Sequence, residues 1–240
     1  MHLYSAEMEN RFRLIGLMGL LAAVLGSGAG RLLEELDPPF ELAAPSAITL
    51  FGVLFYVFDR WAWRFKLPLL PRLSQIPDLR GSWEGEVEIR TSSGERQPPL
   101  PCLVLIDQRW SRMSIVFHTP RSTSRSSSMT LRGDGDVLGD IRYEYHVTPR
   151  AGHEIAGMGQ HDGVARLNRL GAGWSRLAGD FFNDQRYQAS GRYVMNRTDH
   201  SGDVQQWLLD HAVPSAPAGL VREAVAVWLE RWVARVRGLS

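Results

Sequence analysis

The sequence predicts two N-terminal transmembrane helices, then an all-β, lipocalin-like barrel of about eight antiparallel strands, then a C-terminal amphipathic helix. Three observations carry this: two charge-free apolar runs near the N-terminus, a switch to period-two alternation after residue 80, and a period-four apolar stripe in the tail. The 240 residues suffice for one ordinary domain with an addition, and 44% hydrophobic against 22% charged residues excludes a disordered chain. Lys+Arg of 27 against Asp+Glu of 26 leaves no charge excess for DNA or RNA, so no direct nucleic-acid binding is expected. The single cysteine, Cys102, excludes an internal disulfide framework and a multi-cysteine zinc site.

Residues 1–66 form the first region. Leu14 to Gly30 and Leu42 to Phe58 each run 17 residues without a charge, about 25 Å of helix at ~1.5 Å per residue and the lower limit for a span. Phe12, Phe40, Trp61 and Trp63 flank them as interfacial aromatics. A buried soluble hairpin and a cleaved signal peptide are the alternatives. Arg11 and Arg13 precede the first run, Arg60, Arg64, Lys66 and Arg72 follow the second, and Glu34, Glu35, Asp37 and Glu41 lie between. The positive-inside rule therefore places both termini in the cytoplasm. Small residues (Gly16, Gly19, Ala22, Ala23, Gly26, Gly30) suit close helix association, with Gly26 and Gly30 as a small-xxx-small pair.

Residues 67–79, with prolines 68, 71 and 77, read as a stiff tether. The barrel is expected over 80–198. Trp83, Gly85, Val87 and Ile89 alternate with Glu84, Glu86 and Glu88, and Ile141, Tyr143, Tyr145 and Val147 alternate with Arg142, Glu144 and His146. Short apolar runs at 103–106 and 115–117, alternation at 177–181, and YQASGRYVM at 187–195 supply further strands. Asp and Gly clusters at 133–136 and 171–173 mark turns. Closure into a barrel removes exposed edges, and eight strands leave room for one small ligand. In the tail, 199–240, Leu220, Ala224, Trp228, Trp232 and Val236 recur every fourth residue, a helix suited to a membrane surface, the barrel or another subunit.

No catalytic motif emerges. His153-Glu154 lacks a second histidine at 157, the glycines at 157, 159 and 163 do not form a dinucleotide fingerprint, and no metal cluster is spaced for binding. The chain reads as a non-enzyme without cofactor or metal. What remains is a polar set at strand ends or faces: Trp110, Thr119, Ser122, Ser124, Ser126, Tyr143, Tyr145, Asn183 and Arg186. Aromatic rings stack on bases, hydroxyls meet base edges or phosphate, and arginine grips phosphate in a fork. The plainer alternative makes the aromatics core and the stretch from Arg121 to Ser128 a solvated strand or loop.

The order of features resembles the membrane-anchored β-barrel effectors of bacterial CBASS antiphage defence. The resemblance rests on the N-terminal runs and the tether, on IPDLRGSWEGEV (76–87), and on IDQRWSRMSIVFHTPRSTSRSSS (106–128). It continues through IRYEYHVTP (141–149) and LAGDFFNDQRYQASGRYVM (177–195). It implies a barrel that binds a cyclic dinucleotide made by a partner nucleotidyltransferase. It further implies homo-oligomerisation through the spans on activation, and disruption of the lipid bilayer of the bacterial inner membrane in abortive infection. On it, Trp110, Thr119, Ser124, Tyr145, Asn183 and Arg186 are assigned to the ligand site. The tail beyond Thr198 lies outside the pattern, and Gln185-Arg186-Tyr187 replaces a shorter Arg-x-Thr-like stretch. Two other classes stay open on the residues alone: a membrane-tethered lipocalin-like barrel that binds an apolar molecule, and an anchored structural subunit with a filled interior.

Overall fold

A computed structural model describes residues 2–3, 5–6, 10–36, 45–65, 76–91, 93–134, 137–150, 159–171, 173–184, 189–198 and 204–211. Two short strands, β1 (His2–Leu3) and β2 (Ser5–Ala6), lead into helix α1 (Asn10–Leu36). α1 is long and apolar enough to cross a membrane. Its outward Phe12, Leu17, Leu20, Leu21, Val24 and Leu25 are exposed, while Leu14, Met18 and Ala22, four apart, are buried.

The second apolar run forms a shorter helix than its composition suggests. α2 (Ala47–Arg60) has 14 residues, about 21 Å, which is below the ~17 residues a span needs. The cause is local: Ser46 is the N-cap, its Oγ accepting from Thr49 N at 3.2 Å, so the helix starts after Pro45 rather than at Leu42. Of the two expected spans, one is therefore a candidate by length. Gly26 also departs from expectation. A Cβ there would meet Ala47 N, Leu50 Cδ1 and Pro45 O at 3.6 Å, so this glycine already faces α2 of its own chain.

The barrel strands are β3 (Gly81–Arg90), β4 (Leu100–Gln108), β5 (Arg112–His118), β6 (Ser122–Asp134), β7 (Val137–Pro149), β8 (His161–Arg169), β9 (Arg176–Asn183) and β10 (Ser190–Thr198). Each pairs antiparallel with the next, and β10 returns to β3, so the sheet closes as an up-and-down barrel. Period-two side-chain alternation makes this possible; β8 alternates buried and exposed residues from His161 to Leu167. A short helix α3 (Val204–Asp210) follows. The amphipathic stripe from Leu220 to Val236 lies outside the described residues, as does the tether from 67 to 75.

One seam is thin. The β5–β6 ladder pairs only Val116, Phe117 and His118 with Arg125, Ser124 and Thr123. Beyond these pairs β1 joins β5 at Met113 and Arg112, and β2 joins β6 at Thr130 and Leu131. A bulge between Ser126 and Ser128 resets the register, so that Ser126 as well as Met129 and Leu131 is buried. There the Ser126 hydroxyl accepts from Ile115 N at 3.0 Å, replacing a missing ladder bond.

The two ends of the barrel differ. The base, where β3 begins and β4 turns into β5, is filled by Trp83, Met113, Leu131, Ile141, Leu167, Leu177 and Met195, each 1% exposed or less. Ile76 and Leu79 are buried here too. Gln108 fixes this segment, its Oε1 accepting from Leu79 N at 2.9 Å and its Nε2 donating to Pro77 O at 3.0 Å. The end of the expected tether is thus part of the packed base. Leu14, Met18 and Trp63 belong to the same apolar cluster.

Ser126→Ala strands the buried Ile115 amide, a cost of ~1–3 kcal/mol that lowers the thermal midpoint of the full chain by about 3–10 °C. Ser128→Ala, which removes only an exposed hydroxyl donating to Glu144 at 2.9 Å, leaves the midpoint in place. Circular dichroism melts of the two variants separate the effects.

Candidate functional site: a cavity in the barrel mouth

The mouth end is hollow. Beyond Tyr143 and Tyr193 the barrel holds a cavity of about 140 Å³. Rings of Phe117, Tyr143, Tyr145, Phe181 and Tyr193 line it, with Thr119, Ser122, Ser124, Gln97, Asn183, His161 and Arg121 as the polar groups.

Glycine sets where the rings lie. A Cβ on Gly163 would sit 2.4 Å from Cζ and Oη of Tyr145, and one on Gly179 would sit 2.4 Å from Cζ of Tyr193. Their absence lets Tyr145 cross β8 and donate to Asn183 Oδ1 on β9 at 2.8 Å. It likewise lets Tyr193 donate to Arg166 O at 3.0 Å, with the Tyr143 hydroxyl 3.3 Å away. Phe117 meets Tyr193 edge-on at 5.5 Å. Burial pushes all three phenols up, Tyr143 to about 12, and keeps them neutral donors at physiological pH.

The β5–β6 turn shapes the rim. Thr119 Oγ1 accepts from Ser122 N at 3.0 Å and from Arg121 N at 3.2 Å, a hydroxyl turn that brings Arg121 to the cavity beside Gln97. Behind the wall, Arg150 donates to Thr119 O at 3.2 Å and Thr123 Oγ1 at 3.0 Å, and its Nη2 stands 3.3 Å from His118 Nδ1. Burial, then the Arg150 and Arg125 charges, lower the His118 imidazole to about 4. It is therefore neutral, with Nδ1 the acceptor. Cys102 faces the core, and its thiol is pushed up to about 12 by burial and then by Glu86, the opposite of a reactive cysteine.

Of the six residues assigned from sequence, Thr119, Ser124, Tyr145 and Asn183 line this one cavity. Trp110 does not: it lies in the β4–β5 turn at the base, 3% exposed, with Phe58 of α2 edge-on at 5.2 Å. Arg186 lies outside the described residues; Asn183 and Ala189, on either side of it in sequence, both line the cavity. The sequence reading missed Arg121 as a site residue. It opens an arginine- and serine-rich stretch with no periodic signal, and only the Thr119 turn separates it from Arg125 on the outer face.

Residues 74–197, more than half of the chain, match the family model described as Cap15, cyclic dinucleotide receptor domain. A protein of Yersinia aleksiciae named CD-NTase-associated protein 15 is 25% identical over 156 residues, 65% of this chain and 71% of that protein.

Gly163→Ala displaces the Tyr145 ring. In a double-mutant cycle with Tyr145→Ala, thermal unfolding is expected to show a coupling of ~1–3 kcal/mol. His118 gives a pH signature. Its folded pKa of about 4 lies below the ordinary 6.5, so only the unfolded chain takes up a proton between them. Stability contributed by neutral His118 is full above 6.5 and falls as pH drops toward 4. His118→Asn, which keeps an acceptor and cannot titrate, flattens that fall in melts recorded across this window.

Proposed function

Because the chain belongs to the Cap15 family of cyclic dinucleotide receptor domains, we propose that its barrel binds a cyclic dinucleotide and that the protein acts as a CBASS effector. One observation carries the reading: a hollow barrel mouth walled by aromatic rings and neutral hydroxyl and amide groups, with Arg121 at its rim. Ring faces stack on a nucleobase, Asn183 and the hydroxyls meet base edges, and Arg121 holds a phosphate in a bidentate fork. A cavity of about 140 Å³ is close to the ~150 Å³ that takes one benzene ring, so it receives one base. The phosphates and the second nucleoside then sit at the mouth, where Thr119, Ser122 and Arg121 lie.

In this reading the protein is a receptor rather than an enzyme, and a nucleotidyltransferase supplies its signal. The name of the Yersinia relative supports that link. α1 anchors the chain in the inner membrane with the barrel in the cytoplasm; its exposed leucines, Phe12 and Val24 suit lipid. Ligand binding favours an assembled form whose helices associate and disrupt the bilayer, by the difference in affinity for the two forms.

Thermal unfolding of the full chain against 3′,3′-linked cyclic dinucleotides of A, G, C and U tests the binding step. One member at a hundredfold excess over Kd adds ~2.7 kcal/mol and raises the midpoint by about 5–10 °C. Arg121→Ala removes a charge-assisted bond and weakens that ligand by about 10–100-fold. Silence from every dinucleotide, with stabilisation by fatty acids instead, overturns the reading in favour of an apolar-ligand carrier.

A further inference from the structure

At the base of the barrel a single β-turn is held by both N-terminal helices. The turn joins β4 to β5, and its tip residue Trp110 is buried although hairpin tips are ordinarily solvated. From α2, the Asp59 carbonyl accepts from Trp110 N at 3.2 Å, and its carboxylate Oδ1 accepts from Ser111 N at 2.7 Å. From the first turn of α1, Arg11 Nη2 donates to Trp110 O at 2.6 Å, and the Arg11 guanidinium lies 4.9 Å from the centre of the indole. Phe55 and Phe58 flank the same ring edge-on at 6.0 and 5.2 Å. Asp59 is itself 8% exposed, a buried carboxylate whose charge is used on a backbone amide of another element. The last turn of α2 and the first turn of α1 thus satisfy the polar groups of one turn and enclose its side chain.

The strands entering this turn line the cavity at their other ends. β4 starts at Leu100 and β5 ends beside Phe117, both on the cavity wall. β5 spans seven residues, about 23 Å, between the two places. It is also the strand with the thin β6 seam, and β1, which leads into α1, pairs on its base end.

We propose that the Trp110 turn is the joint through which the state of the barrel reaches the membrane helices, with Trp110 and Asp59 as positioning residues outside the ligand site. This rests on the effector reading above. Occupation of the mouth sets Phe117 and with it β5; the turn carries that setting to α1 and α2, which have no contact with the cavity. Separation of the turn from the helices leaves the mouth intact and disconnects the output.

The test uses the full chain in phospholipid vesicles loaded with a self-quenching dye, challenged with each 3′,3′-linked cyclic dinucleotide in turn. Trp110→Ala and Asp59→Ala are expected to retain the ligand-induced rise in thermal midpoint and to release dye about tenfold or more slowly. Trp110→Phe, which keeps an aromatic ring between Phe55 and Phe58, restores release. In all variants the Trp110 and Ser111 amides report on the joint by hydrogen exchange, independent of any ligand: protected in the natural chain and in Trp110→Phe, fast in Asp59→Ala. Dye release at the natural rate in both alanine variants overturns the proposal. So does loss of the midpoint rise together with release, which makes these residues supports of the barrel alone. If the natural chain responds to no dinucleotide, the effector reading falls, and unchanged exchange in Asp59→Ala then removes the joint as well.

Discussion

Three aromatic rings lie against the barrel wall because the residue beneath each is glycine: Tyr145 over Gly163, Tyr193 over Gly179, Phe181 against Gly191. An eight-stranded barrel has an interior just wide enough to be filled by its own side chains or to hold one small ligand. This chain does both. At the base, Trp83, Met113, Leu131, Ile141, Leu167, Leu177 and Met195 fill the cross-section. At the mouth, the glycines withdraw side chains from three strands, and the rings fold back into the space left. The cavity, the Tyr145–Asn183 bond and the tether of Tyr193 to Arg166 all follow from that exchange.

The same arrangement decides the electrostatics. A hollow among buried tyrosines has a low effective dielectric, so its polar groups function as neutral donors and acceptors. Tyr143, Tyr145 and Tyr193 are all held protonated, and His118 behind the wall is held neutral by burial and by Arg150. Among the described residues that line the cavity, fixed positive charge is confined to Arg121 at the rim. The gradient from apolar floor to cationic rim matches a ligand with a flat, weakly polar end and an anionic backbone. A fatty acid also joins an apolar end to an anion, but its tail needs a long apolar channel, and the packed base stops such a channel at Tyr143.

Much of this was legible in the sequence wherever one side-chain period ruled. The alternations at 83–89 and 141–147 became β3 and β7 without shift, and the glycine pair Gly171 and Gly173 formed the expected turn with φ of 82° and 81°. β8 escaped notice because its inward residues include Gly163 and Ala165 while Val164 faces out, which inverts the hydrophobic signal. In β6 the bulge near Ser127 breaks the parity that a strand pattern depends on. Trp110 misled for a related reason. An aromatic residue between polar neighbours in a turn resembles a stacking platform, and its real partners, Phe55, Phe58 and Asp59, stand some fifty residues away. The two apolar runs of equal length gave unequal helices, since capping by Ser46 rather than hydropathy set where α2 begins.

Cavity and joint stand at opposite ends of the barrel, with the filled base between them. A close-packed plug transmits displacement instead of absorbing it, so the route between the ends is a matter of which strand is free to move. Strands tied along both edges share any load with their neighbours. β5 is bonded along its length to β4, yet its ladder pairs with β6 are confined to the mouth, where Phe117 also lines the cavity, with the single Ile115–Ser126 side-chain bond below them. Its base end is joined instead by β1 and runs into the Trp110 turn. The barrel strand with the shortest ladder to a neighbour, among the described residues, is therefore the one that runs from the cavity wall to the turn held by the helices. A wall bonded evenly on every side would spread the effect of a bound molecule around the whole barrel; the short β5–β6 ladder is what lets the proposed coupling run along a single strand.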